Sequence, residues 1–371
     1  MRIFQVINVR WFNATSWYAL YLSKLLQDAG HDVLVITVPD TETEEKAREM
    51  GLKVETIELN STHPIKLVKA CARVLSLVRS HKPDIVNCHR GEAFFWWGIL
   101  RKLGLGFKLV RTRGDQRLPR NDVINRYLHS SVADAVVVTN KRMAEHFLKK
   151  MQLVEKSLWL IHGGVDTAKF KFTKQGRYEV RKQFGFTDDH IVIGLLGRFD
   201  RVKGQRELIE AIAKIRNNSK YENIRLFLMG FPTATSRHEV DSWLKKNKIE
   251  DITKISGKCE NISACISAID LGVIASLWSE TIARAALEIM ACHRPLISTT
   301  VGVMPDLLPE EALVEPENVS ALSLKIEEVI GNPKMEKNLL ELHAKTMSQL
   351  SGTGFLKRTL TLYQGLLNKN E

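Results

Sequence analysis

Residues 270–305 read DLGVIASLWSETIARAALEIMACHRPLISTTVGVMP and contain two predicted strands with a predicted helix between them. The apolar runs Leu271–Ala275 and Leu296–Thr299 are typical of short parallel strands buried on both faces. The alanine-rich segment between them predicts a helix that continues to Ala291. Ser279 is predicted to cap this helix, and Glu280 would lie in its first turn, where the helix dipole favours an acid.

Two carboxylates, Glu280 and Glu288, belong to this predicted helix. Eight helical residues correspond to a rise of about 12 Å, too far for a shared proton or metal but suited to opposite ends of one elongated ligand. The amides of Thr281, Ile282 and Ala283 at the helix start would favour an anion between them. A sugar–diphosphate–nucleoside has this shape. The alternative is an N-terminal acid and a solvent-facing Glu on an ordinary amphipathic helix.

The bulk properties indicate a two-domain protein without a membrane span. The chain has 371 residues, enough for two cores, and no apolar run reaches 18 residues. The segment Met1–Ile7 is predicted to be a strand rather than a signal peptide. The five cysteines are odd in number and form no C-x-x-C pair, which favours reduced thiols in a cytoplasm over a disulfide frame or a zinc site.

The net charge of +12 is concentrated in the first half of the chain. Between residues 61 and 126 there are fourteen Lys or Arg and four acidic residues. A basic face attracts nucleic acid, an anionic membrane or a phosphorylated glycolipid, although it can also be a merely solvated surface. No nucleic-acid recognition module is visible, so a nucleic-acid-binding protein is a remote alternative and nucleic acid is not an expected partner.

Both halves of the chain alternate predicted strands and helices. Repeated βα units predict α/β domains with doubly wound parallel sheets, and a break at 162–166 marks the joint between two similar Rossmann-like domains. In such sheets ligands bind at the carboxyl ends of strands. We therefore expect two parallel sheets that face a central cleft.

The segment Gly197–Gly204, sequence GRFDRVKG, follows a predicted strand and opens a predicted helix. Glycine lets the backbone approach a ligand, and Arg198 and Lys203 supply two cations, a combination typical of a phosphate grip without a metal. The segment is neither a P-loop nor a G-x-G-x-x-G loop. A plain basic βα turn is the alternative interpretation.

Four motifs, in this order and spacing, resemble the retaining nucleotide-sugar glycosyltransferases of family 4, which have the GT-B fold. They are His162–Phe170 (HGGVDTAKF), the Gly197–Gly204 segment, the Glu280-x7-Glu288 pair and Val301–Pro305 (VGVMP). The resemblance covers nearly the whole chain and is strongest from about residue 158 to 318. It implies an N-terminal acceptor-binding domain (1–166), a C-terminal donor-binding domain (167–350) and a C-terminal helix (351–371) that crosses back to the first domain.

The resemblance also implies how a sugar-nucleotide donor is bound. Arg198 and Lys203 would hold the diphosphate and stabilise the leaving nucleotide in place of a metal. Glu288 would bind the ribose, Lys258 would lie beside the base, and Glu280 would contact the transferred sugar. The implied donor-binding set is Gly197, Arg198, Lys203, Gly230, Lys258, Glu280, Thr281, Ile282, Ala283 and Glu288.

The chain departs from the family pattern in its first half. The loop after the first strand lacks the usual Gly-Gly, so Asn13, Thr15 and Ser16 are predicted to bind through their side chains. The usual Thr-x-His is replaced by Thr112-Arg113-Gly114-Asp115. Asp115 is a candidate partner of the transferred sugar with a catalytic role, and Arg113 a candidate acceptor contact; the alternative is that these two side chains only pair with each other. His89 and Arg90, at a predicted strand end, are further acceptor candidates.

The combined interpretation is a retaining, metal-independent hexosyl- or heptosyltransferase that needs no cofactor. Its expected partners are a nucleotide-sugar donor and an anionic glycolipid or polysaccharide acceptor, such as a growing lipopolysaccharide core. A GT-B sugar-nucleotide 2-epimerase is the alternative enzyme. The expected location is cytoplasmic and peripheral, at the inner face of the cytoplasmic membrane. Trp96 and Trp97 would either dip into the membrane interface or pack on the sheet.

Overall fold

The computed structural model describes residues 1–59 and 63–368. The chain divides into two compact units. The first unit comprises Met1–Gly164 together with the C-terminal segment that begins at Gly352, and the second comprises Val165–Ser351. The described residues of each unit form one parallel β-sheet with helices around it, so the predicted pair of Rossmann-like domains is confirmed.

The sheet of the first unit has seven strands in the order β3-β2-β1-β4-β5-β6-β7. Their bounds are β1 (Arg2–Ile7), β2 (Asp32–Thr37), β3 (Lys53–Thr56), β4 (Ile85–Cys88), β5 (Lys108–Arg113), β6 (Ala135–Val138) and β7 (Leu158–Leu160). Every pairing is parallel. The order reverses between β1 and β4, which brings the carboxyl ends of these two strands to the point where such sheets bind ligands.

Several helices of the first unit begin at a residue whose side chain caps the helix. Asn13 accepts a hydrogen bond from the backbone N–H of Ser16 and starts the first helix. The helices are α1 (Ala14–Asp28), α2 (Glu42–Glu49), α3 (Pro64–His81), α4 (Gly91–Lys102), α5 (Val123–Tyr127) and α6 (Lys141–Glu145). α5 and α6 each continue into a π-helical turn, at Leu128–Val132 and His146–Lys150.

The sheet of the second unit has six parallel strands in the order β10-β9-β8-β11-β12-β13. Their bounds are β8 (Ile191–Leu196), β9 (Ile224–Met229), β10 (Thr253–Ile255), β11 (Leu271–Ile274), β12 (Leu296–Thr299) and β13 (Leu313–Val314). The helices are α7 (Lys174–Phe184), α8 (Gln205–Arg216), α9 (Arg237–Asn247), α10 (Ile262–Ala268), α11 (Arg284–Ala291), α12 (Met304–Leu307), α13 (Val319–Ile330) and α14 (Pro333–Leu350). The order reverses between β8 and β11, which places the ends of these strands side by side.

The last helix, α15 (Gly352–Leu367), packs in the first unit. The ring of Phe355 lies 4.7 Å from that of Tyr18 on α1. The hydroxyl of Tyr363 accepts hydrogen bonds from Asn87 Nδ2 at 2.9 Å and Gln5 Nε2 at 3.4 Å. These side chains are buried, so the C-terminal segment is part of the core of this unit.

The two tryptophans of α4 lie in different environments. Trp97 is fully buried and packs edge-to-face on Phe4, with ring centroids 6.1 Å apart. Trp96 is partly buried against the same core. The interpretation of α4 as a helix packed on the sheet therefore holds for Trp97. None of the described helices combines the length and the hydropathy that crossing a bilayer would require.

Candidate active site

The turn after β8 is in close backbone contact with the residue that follows β11. Gly204, which precedes α8, has φ +69°. A Cβ atom at this position would lie 1.9 Å from the carbonyl oxygen of Ala275, so only glycine fits. Gly230 fits equally closely after β9, because a Cβ there would lie 1.9 Å from the carbonyl oxygen of Gly197. These two contacts hold the Gly197–Gly204 segment at the carboxyl ends of the central strands.

This close approach brings Lys203 to Glu280. Lys203 ends a 3-10 turn (Arg201–Lys203), and its Nζ forms an ion pair with Glu280 Oε1. The Ser276 hydroxyl donates to the same Oε1 at 2.6 Å. Glu280 and Ser276 are both buried. The second carboxylate oxygen, Oε2, makes neither of these bonds, so the arrangement fixes the carboxylate through one oxygen.

The main chain of Glu280 is fixed as well. Its carbonyl oxygen accepts a hydrogen bond from Val303 N at 2.7 Å. Gly302 has φ +66°, and a Cβ at that position would lie 2.0 Å from the same carbonyl oxygen. The VGVMP loop therefore fixes the main chain of Glu280 through backbone contacts of Gly302 and Val303.

The predicted start of the helix is wrong. α11 begins at Arg284, and Ala283 precedes it with φ 52° in the left-handed region. The carbonyl of Glu280 bonds to Val303 N rather than to an amide four residues later, so residues 280–283 form a turn. Ser279 is therefore not the cap, Glu280 is not in the first helical turn, and the amides of Thr281, Ile282 and Ala283 are not a helix start. The 12 Å separation that was estimated from a continuous helix does not apply either.

Glu288 lies on the inner side of α11. Its side chain is 3% exposed and accepts from Arg284 Nε at 2.6 Å. Burial raises the pKa of Glu288, while the positive charges of Arg284 and Lys169 oppose this shift. The alternative of a solvent-facing glutamate is thus wrong for this residue. A buried carboxylate that is paired with a guanidinium keeps further acceptor capacity and is well suited to accept hydrogen bonds from hydroxyl groups.

Two further predicted donor residues, Arg198 and Lys258, are more exposed than Glu288. Arg198 is half exposed and pairs with Asp200 at 3.1 Å. Lys258 is exposed and follows Gly257, which has φ +69° in the loop after β10. Arg198 and Lys203 belong to one short segment, and each forms an ion pair with a carboxylate. An arriving diphosphate would compete with these carboxylates for the two cations.

Cations also cluster at the end of β5 in the first unit. Arg113 pairs with Asp115 at 2.9 Å, as the alternative interpretation of these residues expected. Arg111, which the sequence did not single out, is fully buried and lies 3.8 Å from the same carboxylate. Its guanidinium donates to the carbonyl oxygens of Cys88 and Thr112. Burial, with Arg113 close by, lowers the pKa of Arg111 to about 9.

His89 is enclosed in a buried polar network. Its Nε2 lies 2.7 Å from Gln5 Oε1, and burial lowers the pKa of His89 to about 3, so the imidazole is neutral. Gln5 and Asn87 both donate to Tyr363, and Thr112 donates to Asn87 at 2.8 Å. Sequence reasoning missed Gln5, Asn87 and Tyr363. Polar residues inside the apolar strands β1 and β4 were the only available signal. Arg90, which follows His89 and precedes the first residue of α4, is partly exposed.

The remaining acceptor candidates hold the loop after β1. The Thr15 hydroxyl donates to the carbonyl oxygen of Gly114 at 3.1 Å, which ties this loop to the segment after β5. Ser16 is fully buried and its hydroxyl lies 3.3 Å from the carbonyl oxygen of Trp11. Asn13 caps α1. A role of Asn13, Thr15 and Ser16 in acceptor binding stays a prediction.

Within residues 1–59 and 63–368, no group of three or more His, Cys, Asp or Glu side chains is arranged to hold a metal ion.

Two family models match the chain. Residues 15–169 match the model described as Glycosyltransferase Family 4, and residues 176–345 match the model described as Glycosyl transferases group 1. The first match lies in the first unit except for its last five residues, which belong to the second unit, and the second match lies entirely within the second unit. Each unit thus carries its own glycosyltransferase domain.

Curated relatives are similar over much of the chain. An uncharacterized glycosyltransferase of Methanocaldococcus jannaschii is 23% identical over 65% of this chain. A D-inositol 3-phosphate glycosyltransferase of Mycolicibacterium smegmatis is 23% identical over 72% of this chain. The matches span 62% and 65% of the lengths of these two relatives.

Solved structures share the fold over the full length. A glycosyltransferase from Rickettsia africae superposes with a TM-score of 0.85 at 20% identity and covers 99% of this chain and 98% of its own. HepE of Anabaena, in complex with UDP and glucose, gives a TM-score of 0.81 at 17% identity over 98% of this chain and 100% of its own. The lipopolysaccharide outer core galactosyltransferase WaaB gives 0.74 at 13% identity, with all of both chains covered. These structures establish a GT-B architecture.

Proposed function

We propose, from a chain that carries a Glycosyltransferase Family 4 domain and a Glycosyl transferases group 1 domain, that this protein transfers a sugar from a nucleotide-diphosphate sugar to a hydroxyl group. The transfer would retain the anomeric configuration. The observation that carries the proposal is the Lys203–Glu280 pair at the adjacent ends of β8 and β11, with Arg198 nearby on the same segment.

Each end of the donor would meet a suitable group. Glu280 has a fixed carboxylate whose Oε2 is left to accept from a sugar hydroxyl. Glu288 would accept from the ribose hydroxyls. Arg198 and Lys203 would bind the diphosphate, and charge-assisted bonds to it would strengthen as the leaving group gains charge. The binding of UDP by the Anabaena relative supports a nucleotide donor of this class.

The chemistry proposed here needs no metal ion, because two protein cations take the position beside the phosphates. The leaving phosphate would accept the proton of the acceptor hydroxyl on the same face of the sugar. The protein would then orient the two substrates and stabilise the developing charge. Activity is accordingly expected to persist in EDTA.

The acceptor is proposed to be an anionic glycolipid or polysaccharide of the cell envelope, such as a lipopolysaccharide core. The likeness in fold to the lipopolysaccharide galactosyltransferase WaaB is compatible with this class. At the end of β5, Arg111 and Arg113 both lie within 4 Å of the Asp115 carboxylate, and the positive charge there would favour an anionic group on the acceptor.

A lipid-linked acceptor requires contact with a membrane, and the first unit offers a suitable surface on α4 and α5. Leu103, Val123 and Ile124 are 72%, 74% and 68% exposed. Tyr127 is half exposed, and Lys102 lies 5.8 Å from the centre of its ring. Exposed aliphatic side chains beside aromatic and basic ones are typical of interfacial binding. We therefore place a peripheral contact with the inner face of the cytoplasmic membrane here.

The donor assignment is tested by turnover. The purified protein is incubated with a panel of sugar nucleotides, and hydrolysis and thermal shift are measured. Lys203→Ala is expected to lower donor turnover at least about 100-fold while the protein stays folded. Lys214→Ala on α8, where the ammonium donates to the Ser320 hydroxyl at 2.7 Å, is the matched control. Near-normal turnover by Lys203→Ala would refute the donor assignment.

The membrane assignment is tested with vesicles. Val123→Ser together with Ile124→Ser should weaken binding to vesicles that contain anionic phospholipid. The control is Leu324→Ser, which removes an apolar side chain of 65% exposure from α13 in the second unit. Unchanged binding of the double variant would leave this surface without a membrane role.

A further inference from the structure

Two cysteines meet beside the loop that carries Lys258. Cys259 lies in the loop between β10 and α10, and Cys265 lies on α10, six residues further along. The Cys265 thiol donates to Cys259 Sγ, and the two sulfur atoms are 3.1 Å apart. A disulfide bond measures about 2.05 Å, so an approach of about 1 Å would bring the sulfurs to bonding distance.

The surroundings make one sulfur reactive and keep the other protected. Cys259 is partly exposed, whereas Cys265 is buried. Ser256 Oγ lies 3.1 Å from Cys259 Sγ and supplies a second polar contact. The hydrogen bond from Cys265 lowers the pKa of the Cys259 thiol, and a thiolate that a reagent can reach is the nucleophile in thiol chemistry.

We propose that Cys259 and Cys265 form a reversible oxidative modification site that closes to a disulfide in the presence of a hydroperoxide. The Cys259 thiolate attacks one peroxide oxygen, the O–O bond breaks, and the leaving oxygen takes a proton. Cys259 becomes a sulfenic acid. Cys265 sulfur then attacks Cys259 sulfur and displaces the hydroxyl group as water. Two thiols lose two electrons, the peroxide gains them, and a thiol reductant reverses the reaction by exchange.

The local fold favours this pairing over other fates of the thiols. Asn261 caps α10 by accepting from Ala264 N at 3.1 Å, so the segment between the two cysteines is already closed into a compact turn. The described residues hold no third ligand in a metal-binding arrangement with this pair. A simple packing contact at a helix start is the competing explanation, and it predicts no chemistry.

The test uses the peptide that trypsin releases from the folded, full-length protein after oxidation. Cleavage after Lys258 and Arg284 gives residues 259–284, which contain Cys259 and Cys265 and no other cysteine. After brief hydrogen peroxide treatment and thiol alkylation, this peptide is expected to lack both alkyl groups and two hydrogens. Treatment with dithiothreitol before alkylation should restore both alkylation sites.

Single substitutions distinguish the disulfide from general oxidation. Cys265→Ser should leave Cys259 as a sulfenic acid that a dimedone probe traps, and Cys71→Ser should leave the disulfide unaffected. Cys71 is partly exposed like Cys259, but burial raises its pKa, so Cys259 should be alkylated about tenfold faster or more. Full alkylation of peptide 259–284 after peroxide, or its conversion to sulfinic acid without a disulfide, would overturn the proposal.

A functional consequence rests on the proposed donor site. A disulfide would tether the loop of Lys258 to α10, and UDP binding by the oxidised protein is expected to weaken about fivefold. Equal affinity of the two forms would refute this consequence. Absence of UDP binding by the reduced protein would instead refute the donor assignment, and the peptide measurement would still decide the modification.

Discussion

At the scale of single residues, Ser276 orients the carboxylate on which the donor site depends. It is fully buried, and its hydroxyl donates to Glu280 Oε1 at 2.6 Å. Its own carbonyl oxygen accepts from Thr299 Oγ1 at 2.6 Å, so the residue is fixed from both sides. Ser276→Ala removes this hydrogen bond, keeps the ion pair of the same oxygen with Lys203, and allows the carboxylate to rotate.

Ser276→Ala is therefore expected to lower kcat about tenfold and to change the KM of the donor by less than about threefold. The substitution removes orientation and not a contact with the substrate. Ser279→Ala, the same change three residues further along, is the control and should retain activity. A loss confined to KM would show that Ser276 acts on donor binding instead.

Contacts between distant residues explain what the sequence could not predict at this scale. The glycines, Arg198, Lys203 and the two glutamates were recognised because their spacing is local. Lys203 and Glu280 are 77 residues apart, and no periodic pattern indicates that they pair. Likewise, Arg111 looks like any other strand residue in a basic region, and only the packed structure shows that it is buried.

At the scale of secondary structure, α11 shows how a tertiary contact overrides local preference. Alanine-rich sequence favours helix from residue 281 onward, yet α11 begins at Arg284. The amide of Val303 donates a hydrogen bond to the carbonyl oxygen of Glu280. This hydrogen bond can form because Gly302, which has no Cβ, allows the two segments to approach each other. The sequence thus predicted the existence and type of the element but not where it begins.

Gly302→Ala is expected to destabilise the protein by at least about 1 kcal/mol and to reduce donor turnover as well. Alanine at φ +66° is strained, and its Cβ would lie 2.0 Å from the carbonyl oxygen of Glu280. Gly185→Ala is a matched control, since Gly185 has φ +72° and a Cβ there would meet no atom within 4 Å. Thermal unfolding and turnover of both variants separate backbone strain from the steric clash. Equal losses would mean that the contact with Glu280 contributes nothing.

The last helix, α15, gives a prediction of the same kind. Tyr363→Phe removes the hydroxyl that accepts from Asn87 and Gln5, and leaves these buried donors without this partner. The expected loss of stability is about 1–3 kcal/mol. Tyr178→Phe on α7, where the side chain is mostly exposed, should change the melting temperature little. A stable Tyr363→Phe variant would show that water replaces the hydroxyl.

At the scale of the whole molecule, local patterns were enough to predict two parallel sheets, because each βα unit shows its own periodicity. The strand order and the packing of α15 in the first unit required long-range contacts. Tyr363 illustrates this, since its partner Asn87 lies 276 residues away. Hydrophobic periodicity indicates that a helix buries one face, but it does not indicate the strand against which that face packs.

Both units also bury histidines, and this gives the protein an acid-sensitive stability. Burial lowers the pKa of His89 and of His129 to about 3 in the first unit, and that of His343 to about 4 in the second. The unfolded chain protonates these residues below its ordinary pKa of about 6.5, whereas the folded protein does not. The unfolded state therefore binds more protons, and the free energy of unfolding falls as the pH decreases from about 6.5 toward 4.

In this pH range, each buried histidine changes the free energy of unfolding by on the order of 1 kcal/mol per pH unit. The melting temperature is therefore expected to fall steadily from pH 6.5 to 4.5. Glu288, with its pKa raised by burial, acts in the opposite direction and reduces the net slope. His343→Leu should flatten the pH dependence for the second unit, while His238→Leu at the exposed start of α9 serves as the control. A pH-independent melting temperature, or equal slopes in the two variants, would mean that these histidines are protonated within the folded protein.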